Sequence, residues 1–309
     1  MADSIAYQTT TKPTAFDFKT FAAVAVTVVA WASAFAGIRA GLQSYAPEHV
    51  ALLRYATASL ILLVIALRNG IQLPQRRDLL PIAILGFTGF TFYNVVLNKG
   101  EQNTASAVAS LIVASAPIFV ALLAKGFLKE QLTAWAWVGV VICFGGVAVI
   151  AFGVGGSWQL SPSALLILAA AIAQSVYTTF QKPLLKTYSP LQFTTYAIWA
   201  GTICLLPFAP GLFRQMQTAT PAATLAVIYM GIFPGALGYV CWSYVLSRLP
   251  AARAGVFLYI VPPTAALIAW VWLGEIPTLL TLIGGVLVLC GVIVVNTYGR
   301  ARQQASGLK

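Results

Sequence analysis

The sequence predicts an all-α polytopic membrane protein with ten transmembrane helices, arranged as two five-helix halves of opposite orientation. The first observation behind this prediction is composition: the 309 residues are 60% hydrophobic and only 8% charged, whereas soluble domains are about 25% charged. The second is that the apolar residues fall into ten runs of membrane-spanning length. The third is that the second half of the chain repeats the pattern of the first.

The composition excludes other classes of protein. A disordered chain needs low hydrophobicity, and a secreted disulfide scaffold needs dense cysteine. The four cysteines here lie inside apolar runs, without a CxxC motif or a nearby histidine. We therefore interpret them as small buried hydrophobic residues, and we expect neither a metal site nor a cofactor.

Each predicted span is close to the ~20 apolar residues that a membrane-crossing helix needs. Proline, glycine or charged residues separate the spans. The ten segments are residues 19–41, 47–67, 79–98, 104–126, 133–153, 163–183, 190–209, 221–246, 252–273 and 278–298. Residues 1–18 are expected to form a cytoplasmic tail, and residues 299–309 a basic cytoplasmic tail.

The distribution of positive charge orients these spans. With the N-terminus inside, fourteen lysines and arginines lie on the cytoplasmic side and four lie toward the outside. Cytoplasmic loops of membrane proteins carry such an excess, so both termini are predicted to be cytoplasmic. The same bias explains the net charge of +11 without a nucleic-acid partner. The expected partners are a small-molecule substrate and membrane lipid, with the chain acting as a monomer or weak dimer.

The internal repeat appears when the chain is shifted by 145 residues against itself. The shared residues are Gly86 and Gly231, Pro117 and Pro262, Glu130 and Glu275, and Gly139 and Gly284. Proline, glutamate and glycine shared in one ungapped register are not expected by chance, so we predict one repeat over residues 19–155 and a second over 156–298. Because each half has five spans, the second is inverted relative to the first. Inverted repeats are typical of transporters, whose substrate site lies near the midplane between the halves.

The residues also resemble a known family. Residues 231–291 combine an alanine-rich ninth span, a mid-span Pro262, Leu-Gly-Glu at 273–275 and a glycine-rich tenth span, which resembles the EamA-type domain of the drug/metabolite transporter superfamily. The first half repeats this pattern with Pro117 and Glu130. The first two spans add Trp31, Phe35, Arg39 and the Leu-Leu-Arg-Tyr at 52–55. The resemblance implies a ten-helix inner-membrane exporter of small metabolites, often amino acids, and is nearest to the aromatic-amino-acid exporter branch.

Polar and aromatic residues inside the spans predict a substrate cavity. Span six carries Gln174, Tyr177, Thr178 and Gln181, whose spacing places them on one helix face,. Polar side chains at membrane depth face protein or water rather than lipid. The equivalent positions of span one include Trp31 and Phe35, so one wall is predicted to be polar and the other aromatic. The alternative is that the polar residues only join helices together.

Spans three and eight extend the predicted cavity. The candidates are Tyr93, Asn94 and Asn98 on span three, Tyr239, Trp242 and Ser243 on span eight, and Tyr259 on span nine. Aromatic and neutral hydrogen-bonding groups suit a zwitterion with a bulky apolar side chain. Pro117 and Pro262 are predicted hinges, because a proline within a helix removes a backbone hydrogen bond; the alternative is a static kink.

Charged residues give weaker signals. Glu130 and Glu275 lie at span ends and are interpreted as caps or ion-pair partners. Arg54 lies about 10 Å into span two at 1.5 Å per residue, where it could extend outward, pair with Glu48 or bind a substrate carboxylate. With no acidic residue in the middle of a predicted span, proton-coupled transport is disfavoured.

These observations predict an alternating-access exporter of amino acids or similar small metabolites, aromatic or large neutral amino acids among them, in the bacterial inner membrane. One alternative is a proton-coupled antiporter of drugs or other metabolites. A second is a membrane enzyme or a non-transporting scaffold. The chain has no HExxH, GxSxG, Walker A or GxGxxG motif, so it is not expected to be an enzyme.

Overall fold

A computed structural model describes residues 17–128, 133–153, 161–181, 183–248 and 257–298. Within these ranges the regular secondary structure is helical, with no strand. The predicted terminal tails, apart from Asp17 and Phe18, lie outside the described residues, and so does Glu130.

The chain order is a succession of helices. They are α1 (Phe18–Gly41), α2 (Pro47–Asn69), α3 (Leu79–Gly86), α4 (Tyr93–Glu101), α5 (Ser106–Val113), α6 (Ala116–Leu128), α7 (Ala134–Gly153), α8 (Pro162–Phe180), α9 (Pro190–Leu205), α10 (Ala209–Met216), α11 (Pro221–Met230), α12 (Gly238–Arg248), α13 (Val261–Leu273) and α14 (Leu279–Tyr298). Short 3-10 helices lie at Arg76–Asp78, Leu184–Lys186, Leu206–Phe208 and Leu258–Ile260. Two π-helical segments, Phe87–Phe92 and Gly231–Leu237, join α3 to α4 and α11 to α12.

Turn chemistry explains where several helices begin and end. Prolines occupy the first position of α2, α8, α9 and α11, where the missing N–H costs no helical hydrogen bond. Ser189 and Gln192 form a capping box at the start of α9,. Helix α2 ends at Asn69 and is followed by Gly70, whose φ of 61° is in the left-handed region that favours glycine,.

The apolar character of the helices agrees with a polytopic membrane protein. Six helical stretches in the described part of the chain are long and apolar enough to cross a membrane. Shorter apolar helices lie at the positions of the predicted spans four, five, nine and ten. The count of ten crossings and the cytoplasmic side of both termini remain predictions.

The two π-helical segments occupy equivalent positions of the sequence repeat. A shift of 145 residues carries 87–92 onto 232–237, within the second segment. A π-helix widens the helical turn, and such segments frequently occur at functional sites. The matched interruptions support the repeat inferred from the sequence, although the domain boundaries remain predictions.

The fourth predicted span is not one kinked helix. Helix α5 ends at Val113, and a turn at Ala114 and Ser115 separates it from α6, in which Pro117 is the second residue. Pro262 is likewise the second residue of α13, after a 3-10 helix. A proline without an N–H is tolerated in the first turn of a helix but not in its interior, so each proline lies in the first turn of a new helical segment. The hinge role of both prolines remains a prediction.

Glycines bring α7 and α14 into close contact. A Cβ on Gly146 would lie 2.7 Å from the Gly284 carbonyl oxygen, and one on Gly291 would lie 2.6 Å from the Gly139 carbonyl oxygen. Small residues permit such backbone approach between membrane helices. The fifth and tenth predicted spans therefore pack against each other through the four glycines that the repeat pairs.

Candidate functional site

A narrow internal cavity lies between α1, α8, α9 and α12. Its lining residues are Trp31, Gln174, Tyr177, Thr178, Gln181, Leu185, Pro190, Thr194, Tyr239 and Trp242. The cavity volume is about 30 Å³, which is room for about two water molecules. Ligand pockets usually measure about 300–1,000 Å³. The space between these side chains is therefore smaller than a typical ligand pocket.

Trp31 of α1 forms the aromatic wall together with α12. Its ring centroid lies 5.2 Å from that of Tyr239 and 5.5 Å from that of Trp242. The indole Nε1–H donates to the Pro234 carbonyl oxygen at 3.3 Å, which ties α1 to the second π-helical segment. Tilted ring pairs of this kind stabilise a fixed arrangement, and the aromatic surface can accept an apolar group.

The opposite wall comes from α8 and is polar. Gln174 lines the cavity, and its Oε1 atom is buried with no hydrogen-bond partner among the described residues. Gln181 is buried, and its Nε2 donates to the Thr178 carbonyl oxygen at 3.4 Å. A buried acceptor without a donor carries a free-energy cost, so the Gln174 carboxamide is a candidate substrate contact.

Phe90, which the sequence analysis did not single out, lies at the centre of the aromatic cluster. It is fully buried in the first π-helical segment. Its ring centroid lies 5.2 Å from that of Tyr177, 5.3 Å from that of Tyr239 and 5.3 Å from that of Tyr55. The neighbouring Gly89 fits because a Cβ there would lie 2.6 Å from the Tyr177 ring. The Gly89-Phe90 pair was the sequence signal for a site residue here, but the sequence does not distinguish a phenylalanine in an apolar run from an ordinary core residue.

A second polar cluster lies behind Phe90, between α2 and α4. Arg54 is 5% exposed, and its Nη1 donates to Asn94 Oδ1 at 3.2 Å. The Asn94 Nδ2 donates to the Tyr55 hydroxyl at 3.0 Å and to the Phe90 carbonyl oxygen at 2.9 Å. Arg54 neither extends to the surface nor pairs with Glu48, so two of the three expected roles are wrong. The reason is that the Asn94 carboxamide offers its guanidinium a buried acceptor.

Glu101 is the second residue that the sequence analysis misplaced. The predicted third span ended at residue 98, which left Glu101 in a loop, but α4 continues to Glu101 and the side chain is fully buried. Neither carboxylate oxygen has a hydrogen-bond partner among the residues described. The predicted end of the third span is therefore three residues short, and α4 ends on a buried acidic residue.

An ion pair closes the same end of the helix bundle. Arg39 Nε lies 3.1 Å from Glu275 Oε1, and Glu275 Oε2 accepts the Ser106 backbone N–H at 2.8 Å. The Arg39 Nη1 also donates to the carbonyl oxygens of Glu101 and Gln102 at 2.9 and 3.1 Å. Glu275 thus both pairs with a cation and caps α5, as its position at a span end predicts.

A hydrogen-bonded contact joins the connections at the other end of α2. The Tyr188 hydroxyl donates to Asp78 Oδ2 at 2.7 Å and accepts the Gln75 N–H at 2.9 Å. Desolvation, together with the bond to Asp78, raises the pKa of the Tyr188 hydroxyl above its ordinary value,. The cavity therefore lies between two ends that are both fastened by polar contacts.

A larger groove lies on the outside of the bundle and differs in chemistry. Its volume is about 440 Å³, and it is lined by Phe87, Thr88, Phe92, Ala169, Ile172 and Ala173. Apart from the Thr88 hydroxyl, which donates to the Ile84 carbonyl oxygen at 2.8 Å, this lining is apolar. Such a surface suits lipid chains rather than a polar substrate.

Comparison with known proteins settles the family. The profile of the EamA-like transporter family matches the chain twice, over residues 19–152 and 161–297. The chain belongs to the EamA-like transporter family. It is a multi-pass membrane protein, as the family and the apolar helices together indicate.

Relatives of this EamA-like protein are named as transporters. It is 45% identical to "Uncharacterized transporter YdfC" of Bacillus subtilis (strain 168), over 85% of this chain and 86% of the relative. It is 44% identical to "Probable terminal-alkyne amino-acid exporter" of Streptantibioticus cattleyicolor, over 92% of this chain and 96% of the relative. A crystal structure with 17% sequence identity covers 89% of this chain and 96% of its own, with a TM-score of 0.62. That likeness concerns the fold alone.

Most of the predicted site residues of this EamA-like chain meet at the cavity. Those lining it are Trp31, Gln174, Tyr177, Thr178, Gln181, Tyr239 and Trp242. Phe35, Tyr93 and Tyr259 pack in the core outside its lining, while Asn94 and Asn98 join the α2–α4 cluster. The Ser243 and Pro117 side chains lie outside the described part of the structure. Binding of substrate by any of these residues remains a prediction.

Proposed function

We propose that this protein exports amino acids or similar small metabolites by alternating access around the internal cavity. The observation that carries the proposal is the pairing of an aromatic wall, Trp31 with Tyr239 and Trp242, with the amide-bearing wall of α8. The relative named "Probable terminal-alkyne amino-acid exporter" supports the same substrate class. Large neutral or aromatic amino acids are the substrates that this combination favours.

The physical reasoning follows from the two walls. Aromatic faces gain free energy by covering apolar side chains. Carboxamide and hydroxyl groups hydrogen-bond a polar head group without imposing a net charge. The described lining carries no lysine, arginine, aspartate or glutamate, so it suits a molecule that is neutral overall, such as a zwitterion.

Alternating access is the part of the proposal that concerns mechanism. We propose ten spans in two inverted halves, with both termini in the cytoplasm of a bacterium and the chain in its inner membrane. The closed cavity represents an occluded state. Opening the Arg39–Glu275 contact exposes the site on one side, and opening the Tyr188–Asp78 contact exposes it on the other. This cycle needs no bound cofactor.

A transport assay tests the substrate class. Purified protein is reconstituted in liposomes loaded with labelled phenylalanine, threonine, methionine, propargylglycine (a terminal-alkyne amino acid) or glucose. The proposal predicts efflux above protein-free liposomes for the larger neutral amino acids and none for glucose. Background-level efflux of every amino acid would contradict it.

A further inference from the structure

Several buried polar atoms without a partner lie at one end of α2 and α4. They are Arg54 Nε, Asn98 Oδ1, both carboxylate oxygens of Glu101 and Thr104 Oγ1, as judged within the described residues. The side chains of these residues are at most 5% exposed. Buried polar groups are nearly always hydrogen-bonded in folded proteins, so a concentration of exceptions at one place indicates a binding site.

These groups lie on the facing sides of α2 and α4. Asn94, Asn98 and Glu101 follow the spacing i, i+4 and i+7, which aligns them along one face of α4,. Arg54 reaches that face from α2 through its bond to Asn94. Asn98 is held in place by its own Nδ2, which donates to the Pro47 carbonyl oxygen at 2.9 Å. Its Oδ1 atom remains available.

The cluster holds a guanidinium and a carboxyl group that do not form an ion pair with each other. Arg39, Glu275 and Arg54 are the charged groups that act on the Glu101 carboxylate, and Tyr93 is a further ionisable neighbour on α4. Arg39 is engaged by Glu275 and by two carbonyl oxygens. Arg54 forms no ion pair among the described residues, since the recorded pairs join Arg39 to Glu275 and Arg77 to Asp78. Within the described part of the chain, the buried Arg54 guanidinium and the buried Glu101 carboxyl group therefore form no ion pair.

Building on the proposed function, we propose that this cluster binds the head group of an α-amino acid. Arg54 receives the carboxylate, and Glu101 together with Asn98 receives the ammonium group. A guanidinium is the strongest side-chain partner for a carboxylate, and carboxylate and amide oxygens are the acceptors that an ammonium needs.

Phe90 connects the head-group site to the aromatic cavity. Its ring contacts Tyr55 on the Arg54 side and both Tyr177 and Tyr239 on the cavity side. Its carbonyl oxygen accepts the same Asn94 amide that holds Arg54. A displacement of this one ring joins the head-group site to the cavity, so that a substrate whose head group leaves the amide-bearing wall of α8 reaches Arg54 and Glu101.

Head-group analogues test the assignment. The probes are L-phenylalanine, L-phenylalaninamide, which lacks the carboxylate, and 3-phenylpropanoate, which lacks the ammonium group. Binding of each is measured by calorimetry on the purified full-length protein, with Arg54→Gln and Glu101→Gln as variants. Lys99→Gln, an exposed position on the same helix, is the matched control. Arg54→Lys and Glu101→Asp are included because they retain the charge if a neutral variant does not fold.

The expected pattern is selective. Arg54→Gln should weaken L-phenylalanine binding about 10- to 100-fold, the loss that follows removal of a charged hydrogen bond. It should weaken binding of the amide less, because a neutral carboxamide oxygen accepts a weaker bond from a guanidinium than a carboxylate does. Glu101→Gln should weaken L-phenylalanine similarly and leave 3-phenylpropanoate nearly unchanged. Arg54→Lys and Glu101→Asp should show the same selectivity with smaller losses, and Lys99→Gln should bind all three probes as the wild type does.

Two results would overturn the inference in distinguishable ways. If the wild type binds L-phenylalanine and the variants lose all three probes equally, or lose none, the cluster is structural and the transport proposal stands. If the wild type binds no probe and transports no amino acid, the proposed function fails and the head-group site fails with it.

Discussion

Arg39 Nε lies 3.1 Å from Glu275 Oε1, and this ion pair joins the last turn of α1 to the connection between α13 and α14. The two residues are 236 positions apart in the chain. Because the same carboxylate also holds the N-terminus of α5 through Ser106, a single side chain fastens three elements. The pair lies beside the buried Glu101, so it closes the proposed head-group site from that end.

Replacing Glu275 by glutamine should weaken the contact with Arg39 that closes this end of the helix bundle. The variant loses a partly buried charged contact, worth about 1.5–3 kcal/mol, so the open arrangement becomes more populated. The probe is a single cysteine at the buried position 104, Thr104→Cys, in a variant without the native cysteines. With Glu275→Gln, this cysteine should react with a water-soluble maleimide about tenfold faster, or more, than the same cysteine does when Glu275 is present.

The matched control is Arg77→Gln. Its contact with Asp78 is 3.9 Å long and its side chain is 75% exposed, so it contributes little and labelling at Thr104 should not change. Equal labelling rates in Glu275→Gln and in the wild type would show that the ion pair does not control access.

Gln174→Ala should reduce transport without unfolding the protein. The substitution removes a carboxamide whose Oε1 has no partner among the described residues, so little native hydrogen bonding is lost. We expect kcat/KM for the transported amino acid to fall about tenfold, the effect of one substrate hydrogen bond. Ile172→Ala, on the exposed side of the same helix, is the control. Wild-type kinetics in Gln174→Ala would remove this residue from the site.

Gly89→Ala should disturb the cavity through packing alone. The added Cβ would lie 2.6 Å from the Tyr177 ring, and that ring is held between Phe90 and Phe193. Overpacking of this kind costs about 1–3 kcal/mol, which should lower the thermal unfolding temperature in detergent and weaken transport. At Gly145 a Cβ meets nothing within 4 Å, so Gly145→Ala should be neutral or slightly stabilising. Equal behaviour of the two variants would contradict this packing account.

The inverted orientation of the halves predicts opposite labelling at equivalent positions. Gln43 follows α1. Upstream of the 145-residue register, a shift of 143 residues pairs Pro47 with Pro190 and carries Gln43 to Lys186 after α8; both side chains are exposed. Single cysteines there should react with a membrane-impermeant maleimide from opposite sides: Gln43→Cys in intact cells and Lys186→Cys in inverted membrane vesicles. Labelling of both from the same side would contradict the inversion.

Much of the architecture was predictable because its signals are local. Helix starts at Pro47, Pro190 and Pro221 were marked by the prolines themselves. The repeat register placed Pro117 and Pro262 at equivalent positions, and both lie in the first turn of a helix. The polar face of α8 was visible in its i, i+3, i+4, i+7 spacing.

The remaining site features depend on long-range packing. Phe90 is a site residue only because three tyrosines from other elements surround its ring. Glu101 is buried because α4 extends beyond the predicted span. Arg54 faces inward because Asn94, 40 positions away, accepts its hydrogen bond. Periodicity in a single sequence does not encode these contacts.

Counterflow in proteoliposomes tests the central claim of amino-acid transport by alternating access most directly. Liposomes are loaded with unlabelled L-phenylalanine and diluted into a trace of labelled L-phenylalanine, with Gln174→Ala and protein-free liposomes in parallel. The account predicts that wild-type protein accumulates label transiently above its equilibrium level, and that the variant does so more slowly. Absence of such an overshoot with phenylalanine, methionine and propargylglycine alike would contradict it.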